Sequence, residues 1–374
     1  MAVLNYDHGG EKPLNREPPL EKLISSFITI EDGYDRNHGA IPNIDAKTHR
    51  VTVDGAVCTP LSLSLQDLQF LPQHTVICAL QCAGNRRHTM RTEMKEVSGL
   101  DWFDGAVMNC KWRGPRLRDV LLSAGVGFAE AEAQHVAFAC HQNPCQEDEW
   151  YGASVPLPRA MAEDADVLLA LEMNDAPLTP NHGFPVRIVT PGIAGARSVK
   201  WLDRITVQNH ESPNHYQQRD YKILPPEVDS TDKAEGVWDR VPALQDMPVN
   251  SVIGVPANGS KLGRDTEGMI EVKGYALPGG SSGPVVRVEV SADEGKTWQD
   301  AELLGDEQYE EDGANLKWAW RLWRAKLKVE EGKGKMMLSR ATDEGGNAQE
   351  ERCQWNLRGC AYNGYGEVKH LEIV

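Results

Sequence analysis

With 374 residues, of which 40% are hydrophobic, the chain exceeds the size at which one core keeps growing and has apolar side chains enough for two. Its 55 acidic residues against 39 basic ones leave a formal net charge of −16, which excludes nucleic acid and acidic membrane surfaces as partners. No apolar run approaches the ~18 residues that cross a bilayer, and the amino-terminal MAVLNYDHGGEKPLNREPP lacks both a secretory apolar stretch and an Arg-rich amphipathic pattern. A soluble intracellular protein is expected.

In chain order, the first strong signal is the run Thr75 to Leu80, whose length and β-branched content predict a buried strand. It leads directly into Gln81 to Arg87, reading QCAGNRR, where Gly84-Asn85 supplies a turn. Cys82 therefore stands at a strand end, and Arg86 and Arg87 are expected to favour its thiolate. A thiolate attacks carbon or disulfides and binds soft or high-valent metals. Taken alone, a cysteine among apolar residues is more often a packing residue. Eight cysteines occur without CxxC pairs or zinc-like His spacing, so no disulfide framework is expected. Cys140, His141 and Cys145 lack a fourth partner and read as a loop with ordinary thiols.

Leu117 to Ala124 and Ala165 to Met173 read as helix-like, the second bounded by Asp164 and stopped by Asn174-Asp175-Ala176-Pro177. Val228 to Asp246 is polar and punctuated by proline, and reads as a connection, with the chain dividing at about residue 245. Beyond it, Val286 to Val290 alternates with period two, Asp293 to Lys296 turns, and Trp298 resumes the strand. Trp318, Trp320 and Leu322 alternate in the same way and are expected to fill the core of an immunoglobulin-like β-sandwich.

The segments Arg36-Asn37-His38, CAGNRR (Cys82 to Arg87), HGFPVR (His182 to Arg187), GARSVKW (Gly195 to Trp201), RDYK (Arg219 to Lys222), KGYA (Lys273 to Ala276), WAWRLW (Trp318 to Trp323) and WNLRG (Trp355 to Gly359) occur in order along nearly the whole chain. In these segments the chain resembles the sulfite oxidases, a family of molybdenum enzymes. The resemblance implies an α+β fold class: a mixed molybdopterin-binding unit, residues 1–245, followed by an immunoglobulin-like dimerisation unit, residues 246–374. It implies the molybdenum–molybdopterin cofactor, with Cys82 as the protein ligand to the metal. Arg36, Arg87 and Arg358 match family arginines near the substrate oxyanion, and Tyr221 matches a hydroxyl that hydrogen-bonds there. Guanidinium groups suit this duty because they stay charged and offer several donors in a fixed plane. Three of them together require an anion or a carboxylate between them. Arg36, Asn37, His38, His182, Arg187, Ser198, Val199 and Lys200 match positions that hold the pterin.

The implied reaction is oxidation of sulfite to sulfate by oxygen-atom transfer, in a homodimer. A nitrate reductase-like or sulfoxide-acting enzyme is the nearer alternative, against which Arg358 speaks because nitrate reductases do not keep it. The family usually has an Asp upstream of YGAS (Tyr151 to Ser154), where this chain has His141-Gln142-Asn143-Pro144-Cys145. No haem domain is expected before Arg36, so electrons are expected to pass to dioxygen or an unidentified protein acceptor. Related plant enzymes are peroxisomal, whereas the terminal His370 to Val374 is not a usual peroxisomal signal, which leaves cytoplasm or peroxisome.

Overall fold

The computed structural model describes residues 5–6, 13–30, 33–127, 134–305, 308–309 and 313–374. The predicted strand is present as His74–Gln81, paired antiparallel along its full length with Val107–Gly114 and buried over most of its residues. These two strands form a four-stranded sheet with Glu172–Met173 and Ala176–Pro177. Five further strands make a second, mixed sheet in the order Leu61–Ser64, Arg50–Gly55, Arg204–Gln208, His135–Cys140 and Tyr151–Pro156. One pair in it, Arg204–Gln208 with Arg50–Gly55, is parallel, and the rest are antiparallel. Helix Leu117–Ser123 lies in the core of this sheet through Leu117, Val120 and Leu121, as its periodicity predicts.

The second helix-like segment is a correction. Ala165 to Met173 holds two short strands, Leu168–Ala170 and Glu172–Met173, not a helix. Leu168–Ala170 is wholly buried and pairs with Arg187–Val189, so an apolar run covered on both faces carries no period to separate helix from strand.

The carboxyl-terminal region is a β-sandwich. One sheet runs Asn250–Val255, Met269–Leu277, Arg321–Lys328, Glu302–Leu304, and the other Lys261–Leu262, Gly366–Ile373, Gly332–Asp343, Val285–Ser291, Gln299–Asp300. Between them pack Val272, Val288, Val290, Trp323, Met337 and Leu371, in the alternation expected of sandwich strands. The tryptophans divide differently from expectation. Trp323 is in the sandwich core, but the strand begins only at Arg321. Trp318 packs instead with Cys78, Cys82 and Trp112, its indole donating to Asp166 at 2.9 Å. Trp320 belongs to a cluster that joins Ile77 and Val107 to Tyr275 and Leu277. Alternation in WAWRLW is therefore a bridge between regions as much as a strand.

The segment read as a connection is also more than that. Val228, Ala234 and Trp238 are buried with Met90, Trp355 and Leu357, so it wedges between the helix that follows CAGNRR and the WNLRG segment. All eight cysteines are free. Among the described residues no helix is long and apolar enough to cross a membrane.

Candidate active site

The strand His74–Gln81 delivers Cys82 to a turn built by hydrogen bonds. Cys82 N–H donates to Ala106 O (2.9 Å), Asn85 N–H returns to Cys82 O (3.0 Å), and the Asn85 side chain accepts from Ala106 N–H (3.0 Å) while donating to the Tyr275 hydroxyl (2.9 Å). Arg86 then takes a left-handed backbone conformation at φ 66°, which is costly for a residue with a Cβ. Its guanidinium is buried and donates to Asn250 Oδ1 (2.8 Å), Gly364 O (2.6 Å) and Tyr365 O (2.7 Å), with Asp104 at 3.5 Å. Arg86 thus anchors the turn to the sandwich, and the expectation that it activates Cys82 is corrected.

Arg87 opens helix Arg87–Glu93 and donates to the carbonyls of Arg358 (2.9 Å) and Leu100 (2.8 Å). A Cβ at Gly84 would stand 2.5 Å from the Arg87 guanidinium, which would have to shift. Burial pushes the Cys82 thiol above its ordinary range, while Arg87 and then Arg36 pull it down. Burial outweighs them, so the neutral thiol is favoured over the thiolate in this environment.

Beside Cys82 opens a cavity of about 810 Å³ including its mouth. Nine of the twelve expected residues line it: Arg36, Asn37, His38, Cys82, His182, Arg187, Ser198, Lys200 and Tyr221. Arg87, Arg358 and Val199 do not. Val199 lies wholly buried in the core of the mixed sheet, its carbonyl accepting from Ile188 N–H at 2.9 Å. Arg358 forms an ion pair with Asp220, the residue before Tyr221, which supplies the carboxylate that neighbouring arginines demand. Burial, together with Arg87 and Arg36, depresses the Arg358 pKa from its ordinary value.

The cations in the wall are otherwise uncompensated. Among the described residues, Arg36, Arg187 and Lys200 make no ion pair with a carboxylate. Arg187, 4% exposed, donates to the carbonyls of His182 (3.1 Å) and Ser198 (3.0 Å), and burial lowers it to about 10. Lys200 donates to Asn37 Oδ1 and to Asn181 O (2.8 Å); burial brings it down to about 7, against the pull of Asp35. Burial likewise lowers His182 to about 4. His38 is held well below its usual value by burial and then by Arg36, so it is neutral. Buried cations without counter-charges are expensive, and the site is complementary to a bound polyanion.

The residues fit molybdopterin. Asn37 Nδ2 is a buried donor without a hydrogen-bond partner among the described residues, the three cations match a phosphate-bearing group, and Cys82 is a buried thiol whose ionisation a neighbouring cation favours. Cys82 would hold the metal, with Asn37, Arg187 and Lys200 around the pterin and its phosphate. Among the described residues no group of three or more His, Cys, Asp or Glu is arranged to hold a metal. Cys140 and Cys145 nonetheless line the cavity, as does Asn143, whose amide donates to Ala40 O at 3.0 Å.

Sequence reasoning passed over three contributors. Tyr151 lines the cavity and stacks near His38 with ring centroids 5.4 Å apart; its only signal is the YGAS segment. Tyr34 also lines it, and Asp35, fully buried, takes Arg16 at 2.8 Å and lies 3.9 Å from His182. Nothing in the sequence marks those two beyond their place before Arg36.

Comparison with known proteins shows the family to which the chain belongs. Residues 38–216 match the family model of the oxidoreductase molybdopterin binding domain, and residues 241–372 that of the Mo-co oxidoreductase dimerisation domain. The chain is 44% identical over 375 residues to mitochondrial sulfite oxidase of Rattus norvegicus, covering 97% of this chain and 65% of that protein. It is 38% identical over 368 residues to sulfite oxidase of Arabidopsis thaliana, covering 93% of this chain and 89% of that one. The chain thus spans slightly under two thirds of the rat relative and nearly all of the plant one. The fold matches the sulfane dehydrogenase SoxCD of Paracoccus pantotrophus with a TM-score of 0.77, over 100% of this chain and 90% of that one at 24% identity, a likeness of fold alone. On these identities and coverages the chain belongs to the sulfite oxidase family of molybdopterin-dependent oxidoreductases.

Proposed function

We propose that this chain oxidises sulfite to sulfate. The observation that carries the reading is one cavity lined by a buried thiol, Cys82, and by Arg36, Arg187 and Lys200, which form no ion pair with a carboxylate among the described residues, in a chain whose net charge is −16. Such a chain repels a small dianion everywhere except where local cations reverse the potential. When bound, the molybdenum cofactor supplies oxygen-atom transfer and takes up two electrons. The protein's part is to hold the metal through the Cys82 thiolate, to attract and orient an oxyanion with Arg36, and to donate a hydrogen bond from Tyr221. Arg87 and Arg358 act from behind the wall: Arg87 offsets the burial of Cys82, and Arg358 with Asp220 braces the Tyr221 segment.

In the same reading residues 1–245 form the cofactor unit and residues 246–374 pair two copies into a homodimer. The electrons pass to dioxygen or to a separate acceptor protein, with no haem in this chain, and the enzyme works in the cytoplasm or peroxisome. Steady-state oxidation of sulfite with ferricyanide as acceptor tests the proposal. Turnover of sulfite supports it; purified holoenzyme that reduces nitrate or a sulfoxide and ignores sulfite overturns it.

A further inference from the structure

Arg36, His38 and Tyr221 form a chain of hydrogen bonds whose direction follows from chemistry alone. Arg36 Nη2 lies 3.0 Å from His38 Nδ1, and His38 Nε2 lies 2.7 Å from the Tyr221 hydroxyl. A guanidinium has donors and no acceptor, so Nδ1 must accept and carry no hydrogen. The ring hydrogen of the neutral imidazole is then on Nε2, which donates to the Tyr221 oxygen. The Tyr221 hydroxyl has no other hydrogen-bond partner among the described residues, the backbone carbonyl of Tyr221 being taken by Leu244 N–H and Arg197. With its oxygen engaged by His38, the phenol hydrogen is left to a ligand in the cavity that Tyr221 and Cys82 both line. The His38 ring has little freedom to turn: its centroid lies 3.9 Å from that of Tyr216 and 5.4 Å from that of Tyr151.

We propose that His38 is a positioning residue: relayed from Arg36, it presets the Tyr221 hydroxyl as a donor into the cavity, which selects a ligand presenting an acceptor-only oxygen, a deprotonated oxyanion. The inference rests on the sulfite reading for the identity of that oxyanion, and on the hydrogen-bond geometry for the relay.

The test uses cofactor-loaded protein with kinetics expressed per molybdenum, so that loss of cofactor is not mistaken for loss of positioning. His38→Leu is expected to raise KM for sulfite by roughly 10- to 100-fold with kcat changed by less than about 3-fold. His38→Gln, which keeps a donor toward Tyr221, recovers most of that loss. Tyr221→Phe combined with His38→Leu is no worse than Tyr221→Phe alone, because both remove the same hydrogen bond. Selective nitrogen-15 labelling of histidine reads the tautomer directly, with Nε2 protonated and Nδ1 bare. A protonated Nδ1, additive losses in the double variant, or unchanged KM per molybdenum in His38→Leu overturns the proposal. If the unmodified enzyme ignores sulfite, the substrate reading and the selectivity drawn from it both fall, while the nitrogen signals still decide whether the relay exists.

Discussion

The cavity and the outer faces of the sandwich hold positive charge under opposite conditions. On the sandwich, Arg287 meets Asp300 at 2.7 Å, Arg324 meets Glu302 at 2.7 Å, and Lys261 meets Glu372 at 2.9 Å, all in contact with solvent. Such pairs contribute little because water screens them and the side chains are long. In the cavity, Arg187 is buried and Lys200 half-buried, and both face carbonyl and amide groups instead of carboxylates. The folded chain sustains those isolated charges at a cost, and a cost maintained in the interior points to a ligand that relieves it. Arg358 shows the intermediate case, a largely buried cation given its own Asp220.

The sharpest way to break this contrast is at Cys82. Cys82→Ser should leave the fold intact, since the turn is held by backbone, Asn85 and Arg86, yet abolish molybdenum retention and lower sulfite oxidation by at least ~10³-fold. Metal analysis by mass spectrometry beside the ferricyanide assay decides it, and a variant that keeps its metal sinks the assignment.

Lys200→Met should reduce cofactor retention by about 10-fold. It also carries a pH signature in cofactor-free protein. The folded pKa, about 7, lies below the ordinary lysine value of 10.5, so between those values the unfolded chain holds the proton and the folded chain does not. Stability therefore rises as pH increases through that window. Lys200→Met should flatten the rise, measured as the pH dependence of the thermal midpoint; an unchanged slope means that another group is responsible. Sulfate binding by the cofactor-free protein should weaken as pH rises through about 7, where folded Lys200 loses its charge.

Arg358→Met leaves Asp220 buried without its partner and should cost about 2–3 kcal/mol by denaturant unfolding, while cofactor content stays near normal. Asp220→Asn added to it should restore part of the stability. If the single variant loses its cofactor instead, Arg358 belongs to the wall and not behind it. The smallest effect is expected from Arg287→Met on the sandwich surface, where the thermal midpoint should not move beyond measurement error.

Much of the architecture was readable because its signals are local. The helix at Leu117 carries its period within a few residues and the strand leading to Cys82 is marked by its length and β-branched content, whereas the alternation expected over Val286 to Val290 holds only for Val288 and Val290, Val286 being exposed where the register shifts between Val285 and Arg287. Ala165 to Met173 was misread because burial on both faces erases that period, and Trp318 because alternation continues past the end of a strand. Most of the expected site residues meet at one cavity, though Val199, between Ser198 and Lys200, points its chain into the core.

By itself the sequence determined the two regions, the turn that presents Cys82 and the set of charged residues from which the site is drawn. Only the tertiary structure decided that Arg86 turns to the sandwich while Arg87 stays near the sulfur, that Arg358 is answered by Asp220, and that His38 joins Arg36 to Tyr221. The reason is physical: adjacent side chains leave the backbone in different directions, and what each charge costs or contributes depends on partners brought from segments more than a hundred residues away.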